Sequence, residues 1–188
     1  MGQIVLVTGG ARSGKSRFAE GLALQAGGPV VYLATAEASD AEMEDRIARH
    51  QAQRPSEWTT VESPRELLPA LAGKTEGVAV VLLEDLSLWT ANRLIDLGDS
   101  EREGWWAEVD ALERTLHAEL QALLQAARAA SWDLILVTNE VGWSLHPNSP
   151  LGRAFQDMLG RLNQFAASQA DAVSLVVVGL ALNLKPQR

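Results

Sequence analysis

The chain has 188 residues, 47% hydrophobic and 21% charged, the composition of one folded domain rather than of a disordered segment. It contains no cysteine, which excludes disulfide scaffolds, thiolate metal sites and cysteine nucleophiles. Its formal charge of −8 includes no block of Lys or Arg, so nucleic acid is not an expected partner. No run approaches the roughly 20 apolar residues of a membrane helix, and Met1 to Thr8 lacks the basic leader of a signal peptide. A cytoplasmic protein without membrane insertion is expected.

In chain order, short apolar runs alternate with longer helical patterns. Ile4 to Thr8, Val30 to Ala34, Val78 to Leu83, Leu134 to Thr138 and Val173 to Val178 have the length and composition of buried strands. Helices are expected at about 15–26, 40–52, 64–72, 86–97, 105–130 and 150–170, with Val109, Leu112, Leu116, Leu123 and Ala127 on one face of the longest. Ser39 with Glu42 has capping-box spacing, Ser149 before Pro150 predicts an N-cap, and Trp58 to Val61 reads as an extra short strand. Strands alternating with helices predict a parallel sheet covered on both faces, and no linker divides the chain, so residues 1–188 form one domain.

Directly after the first strand, Gly9-Gly10-Ala11-Arg12-Ser13-Gly14-Lys15-Ser16 satisfies G-x-x-x-x-G-K-S and opens a helix-forming run. Glycines let consecutive backbone N–H groups turn inward, and the helix adds the positive end of its dipole, so the segment attracts phosphate. Lys15 would reach the β- and γ-phosphates, and Ser16 would place its hydroxyl on Mg²⁺. The alternative is a glycine-rich turn without a ligand. The motif names no reaction, because kinases, ATPases and GTPases share it.

A carboxylate for the magnesium shell is expected at a strand's carboxyl end, and Val80-Val81-Leu82-Leu83 leads into Glu84 and Asp85. Glu84 is the preferred metal residue and Asp85 its rival, one of which can instead cap the next helix. Ala34-Thr35-Ala36 ends the second strand at the same edge, with side chains small enough for a nucleotide to approach the backbone.

Met43, Ile47 and His50 share one stripe of the helix near 40–52. On periodicity alone His50 reads as a packed histidine. Arg46, Arg49 and Arg54 surround it with groups suited to phosphate, and an ordinary imidazole, with a pKa of about 6.5, is largely neutral and nucleophilic at pH 7. His117 reads as a surface or interface residue, and His146 lies on an expected loop without an assigned task.

Four stretches resemble the bifunctional adenosylcobinamide kinase / adenosylcobinamide-phosphate guanylyltransferase family of cobalamin biosynthesis. They are LVTGGARSGKSRFAE from Leu6, YLATAEASDAEMEDRIARHQAQRPSEW from Tyr32, VLLEDLSLWTANRL from Val81 and VTNEVGWSLHPNSPLGRAFQDMLGRLNQ from Val137. The R-I-x-x-H-x-x-x-R-P and T-N-E-V-G patterns are the specific ones. The resemblance implies that His50 becomes guanylylated and that Gly9 to Ser16, Ala34, Thr35, Ala36, Gln51, Ala52, Gln53, Arg54, Glu62 and Glu84 contact the nucleotide.

It further implies GTP and ATP with Mg²⁺ as cofactors, a corrinoid substrate, a homo-oligomer that is a trimer, and an α/β, P-loop NTPase-type (RecA-like) three-layer fold with a mostly parallel central sheet. Two departures stand out. Trp143, Ser144, Leu145 and His146 follow T-N-E-V-G where many relatives have small or aliphatic residues, and Asp85 stands where relatives often have Cys or another uncharged residue. Trp89, Trp105 and Trp106 read equally as interface anchors or as core. A small-molecule kinase without guanylyltransferase activity and a regulatory GTPase switch are the competing functions, although the N-K-x-D guanine signature of switches is replaced by Thr138-Asn139-Glu140-Val141.

Overall fold

The computed structural model describes residues 1–38 and 41–185. Seven strands form one sheet: β1 (Ile4–Gly9), β2 (Val30–Ala34), β3 (Thr59–Glu62), β4 (Val80–Glu84), β5 (Asp133–Val137), β6 (Ala172–Val177) and β7 (Leu180–Lys185). Their spatial order is β3-β2-β4-β5-β1-β6-β7, parallel throughout except for β7, which runs antiparallel to β6. The helices are α1 (Lys15–Ala26), α2 (Ala41–Gln53), α3 (Leu86–Ile95), α4 (Trp105–Ala129) and α5 (Pro150–Gln169). The expected α/β fold with a mostly parallel sheet is what the chain adopts.

Strand periodicity sorts side chains between two cores. On one face Val30, Tyr32, Val80, Leu82, Ile135 and Val137 pack against Ala19 and Ala23 of α1. On the other, Val31, Leu33, Val81, Leu83, Leu134 and Leu136 pack beneath α3, α4 and α5. Being covered on both sides is why these strands read as continuous apolar runs rather than as alternating ones.

Most expected elements hold with ends displaced by one or two residues. The predicted cap of α5 is present: Ser149 Oγ accepts from the Gly152 N–H at 3.1 Å, and Pro150 occupies the first turn. The Ser39 and Glu42 capping box lies outside the described residues. The helix expected at 64–72 is reduced to a 3₁₀ turn, Pro69–Leu71. Pro64 and Pro69 bring no N–H to a helical ladder, and Leu67 and Leu71 enter the core from irregular backbone instead.

Trp89 and Trp105 are fully buried and belong to the core, so they do not anchor an interface; Trp106 is 48% exposed, with its ring edge-on to Trp105. His117 is on the surface as expected, tilted against Phe165. Strand β7 was not anticipated, and the strand before it ends at Val177 rather than Val178. Val178 and Gly179 both have positive φ, the two-residue turn that right-twisted hairpins favour. Glycine followed by leucines at every second position, 180, 182 and 184, is the signal that marks this hairpin.

Asp171 ties the start of the sheet to α4. Its carboxylate accepts from the Ile4 N–H at 2.8 Å and from Arg128 Nη1 at 2.5 Å, and the arginine bond, more than the backbone one, holds its pKa below the ordinary carboxylate range. A lowered folded pKa gives stability that is present above the unfolded value of about 4 and lost as pH falls through the folded one. Asp171→Asn is therefore expected to unfold more easily than the parent in urea at pH 7, with the gap closing below about pH 4. A gap independent of pH would contradict this role.

Candidate active site

The carboxyl ends of β1, β2, β3 and β4 face one cavity of about 980 Å³, at the sheet edge where ligands bind in open α/β folds. Parallel register sets Glu62, Ala34 and Glu84 side by side across three adjacent strands. Between β1 and α1 runs the glycine-rich loop. Gly9 has no room for a side chain, since a Cβ there would lie 2.4 Å from the Val176 carbonyl oxygen and 2.6 Å from Ser13 Oγ. Gly14 has φ +95°, a conformation open to glycine, and its N–H-rich turn leads straight into Lys15.

Neighbouring segments hold this loop from outside. The Gly179 N–H of the β6–β7 turn donates to the Ser13 carbonyl at 2.8 Å, and the Glu140 N–H donates to the Gly9 carbonyl at 3.1 Å. Lys15 is only 8% exposed and lines the cavity. A buried ammonium is costly without an anionic partner, so this placement suits phosphate oxygens.

Glu84 is the last residue of β4, and Asp85, just beyond the strand, is the N-cap of α3. Glu84 faces α1: Ser16 Oγ donates to its Oε1, and the Tyr32 hydroxyl donates to its Oε2 at 2.9 Å. Asp85 faces α3 and caps it, its Oδ1 accepting from the Leu88 N–H at 2.7 Å and from Ser87 Oγ. Thr35 locks the pair of strands by donating to the Asp85 carbonyl and accepting the Asp85 N–H, at 2.8 and 2.7 Å. The Ser16 hydroxyl and the Glu84 carboxylate are adjacent hard oxygen donors, the set that Mg²⁺ prefers. Among the described residues no group of three or more His, Cys, Asp or Glu forms a closed metal cage.

Tyr32 is nearly inaccessible, and burial, followed by the Glu84 charge, raises its hydroxyl pKa well above the ordinary value. Its ring stacks with Trp58 and carries the Arg54 guanidinium, which sits 3.5 Å from the ring centroid. Arg54 Nε and Nη1 are buried without a hydrogen-bond partner among the described residues, as is Ser13 Oγ. Such donors are costly to leave unmatched, and an anionic ligand would satisfy them. Glu20, one turn beyond Ser16, has its pKa raised by burial and then by Glu84, while Arg54 opposes the shift.

The α2 stripe of Met43, Ile47 and His50 lines the cavity instead of packing into the sheet, so His50 is not the core histidine that periodicity alone predicts. Of the arginines near it, Arg54 turns inward, whereas Arg49 is paired with Asp45 on the exposed face. The Arg46 and Gln53 side chains lie outside the described residues. Gln51 Nε2 donates to Glu62 Oε1 at 2.8 Å along the cavity wall.

Among the expected nucleotide contacts, Gly10, Ala11, Lys15, Ser16, Ala34, Ala36, Gln51, Arg54, Glu62 and Glu84 line the cavity. Gly9, Ser13 and Gly14 shape the loop behind it, and Arg12 is exposed. Thr35 is buried in its bonds to Asp85, and Ala52 is exposed. Sequence reasoning gave no role to Tyr32, Ser87, Asn139 or Phe155, which also line this space. A tyrosine inside a fully buried strand was the available signal, because its hydroxyl requires a partner. A second cavity of 480 Å³ opens at the opposite end of the sheet, near Ile4 and Phe165, away from the phosphate loop.

Two curated relatives are similar over almost the whole chain. The bifunctional adenosylcobalamin biosynthesis protein CobU of Escherichia coli (strain K12) is 41% identical over 97% of this chain and 99% of its own length. The protein of the same name from Salmonella typhimurium (strain LT2) is 40% identical, with 97% and 99% covered. Among solved structures, the ATPase EscN in complex with its central stalk EscO from enteropathogenic E. coli superposes with a TM-score of 0.52 at 15% identity, covering 98% of this chain and 47% of that one, a likeness of fold alone. The family model described as cobinamide kinase / cobinamide phosphate guanyltransferase matches residues 5–184, and the chain belongs to that family.

Proposed function

We propose that the chain phosphorylates adenosylcobinamide and then transfers GMP from GTP to the resulting phosphate through a guanylylated His50, giving adenosylcobinamide-GDP. The observation that carries this reading is that His50 lines the same cavity as Lys15, Ser16 and Glu84. A nucleophile and a phosphate cradle thus share one space. Residues 1–188 act as one catalytic domain, working in the cytoplasm, where nucleoside triphosphates are made.

In the kinase step the hydroxyl of the aminopropanol arm attacks the γ-phosphorus of ATP or GTP. The bond to the bridging oxygen breaks, and the nucleoside diphosphate leaves. In the transferase step an imidazole nitrogen of His50 attacks the α-phosphorus of GTP, a P–N bond forms and pyrophosphate departs. The substrate phosphate then attacks that phosphorus, the P–N bond breaks and His50 is regenerated. Two displacements share the transfer, with His50 carrying GMP between them.

Lys15 and Arg54 offset the charge that develops on phosphate oxygens. Ser16 and Glu84 would hold Mg²⁺, which neutralises phosphate charge when bound. Tyr32 fixes the free oxygen of Glu84 and seats Arg54, so one ring orients both groups. Glu62 and Gln51, joined to each other, face the nucleoside end. The assembly is a homo-oligomer, a trimer, whose open sheet edge and exposed Leu180, Leu182 and Leu184 on β7 offer apolar surface for contact. The regulatory GTPase reading loses ground because Thr138-Asn139-Glu140-Val141 stands where switches carry N-K-x-D.

Incubation with GTP and Mg²⁺ followed by intact mass measurement is expected to show added GMP, removed by mild acid because phosphoramidates are acid-labile, and absent in His50→Ala. A mass that never changes would contradict guanylylation and leave the kinase and switch readings. Lys15→Ala is expected to lower both activities by about 100-fold or more, the scale of losing one preorganised charge at a phosphoryl centre. Undiminished turnover in that variant would refute its role.

A further inference from the structure

The cavity extends beyond its phosphate end. Past Glu84 it continues over the first turns of α3 to the loop between β5 and α5, where Leu88, Ala91, Val141, Trp143 and Phe155 line it. Its floor there is polar: Ser87 and Asn139 are joined to each other, and Ser87 to Asp85. The strand order explains the division. Helix α2 after β2 and the end of β3 bring His50, Gln51, Arg54 and Glu62 to one side of β4, while the loop after β5 and the phosphate loop after β1 lie on the other. Lys15, Ser16 and Glu84 lie toward the α1 face of the sheet and Leu88, Ala91 and Phe155 toward the α3 and α5 face, so a second reactant meets the phosphates from that second face.

Trp143 is 76% exposed although it lines the cavity, and it is presented by a fastened turn. The Val141 carbonyl accepts from Gln156 Nε2 and from Ser144 Oγ, both at 2.9 Å, which ties the turn to α5. The Gly142 N–H donates to Glu140 Oε1 at 2.7 Å. A large indole held in water at the mouth of a reactive cavity forgoes apolar burial until a ligand covers it.

We propose that this lobe is the acceptor subsite, taking the hydroxyl- or phosphate-bearing arm of a corrinoid over Ser87 and Asn139 while the flat macrocycle rests outside on the face of Trp143. The assignment rests on the function proposed above. It gives that function its specificity-determining residue: a broad ring with apolar faces matches an exposed indole, and only a slender arm fits beside a nucleotide in the remaining space. Leu145, 92% exposed in the same loop, does not line the cavity and provides the control.

The test is equilibrium dialysis of adenosylcobinamide, followed by its visible absorption, against the full-length protein. Trp143→Ala is expected to raise Kd by about tenfold or more, the loss that uncovering an aromatic contact implies. Trp143→Phe should recover most of the affinity, and Leu145→Ala should bind as the parent does. An unchanged Kd in Trp143→Ala, an equal loss in Leu145→Ala, or no binding by the parent overturns the subsite. Because dialysis requires no GMP transfer, a parent that binds but is never guanylylated sinks the transferase reading and leaves this one standing.

Discussion

The close approach of Gly9 to the Val176 carbonyl and to Ser13 governs the site. Only a residue without a Cβ lets the backbone leave β1 at that point and curl, and everything that meets phosphate follows from the curl. Lys15 is buried because the loop turns it inward, and Ser16 reaches Glu84 because α1 starts directly after Gly14. The carbonyls of Gly9 and Ser13 are each tied to another segment, so the loop is shaped before any ligand arrives.

The end of β4 divides its two carboxylates between the helices on either face of the sheet. Glu84 joins Tyr32 and Ser16 on the α1 face, while Asp85 is spent on the N-cap of α3. One buried ring then links two kinds of charge, its hydroxyl fixing a carboxylate and its face seating a guanidinium. The cavity has a charged half matched to phosphates and an apolar half bordered by Trp143 and Phe155. A transferase that brings a nucleotide donor to a cobinamide acceptor needs two such surfaces.

Local rules of the chain made much of this legible. Five parallel strands were evident because burial on both faces leaves unbroken apolar runs, and the phosphate loop because its spacing has one mechanical purpose. The stripe holding Met43, Ile47 and His50 was also visible, but periodicity cannot distinguish a core from a cavity wall, and His50 lies on the wall. The choice between Glu84 and Asp85 depended on which residue ends β4 beside Ser16 and which caps α3, and a linear reading leaves that open. Strand β7 escaped although its alternating leucines were present, because it is an exposed antiparallel edge strand outside the rhythm of buried strands and crossover helices. The helix expected at 64–72 failed because two prolines outweigh the periodicity of Leu67 and Leu71.

The central claim is that His50 and the phosphate loop act on one nucleotide. A crystal structure with a non-hydrolysable α,β-blocked GTP analogue and Mg²⁺ tests it most directly. The account predicts an imidazole nitrogen about 3–3.5 Å from the α-phosphorus, opposite the bond to the β-phosphate, with Lys15 on the terminal phosphates. A ring turned away from a fully ordered nucleotide, with another side chain in line with the α-phosphorus, would contradict it.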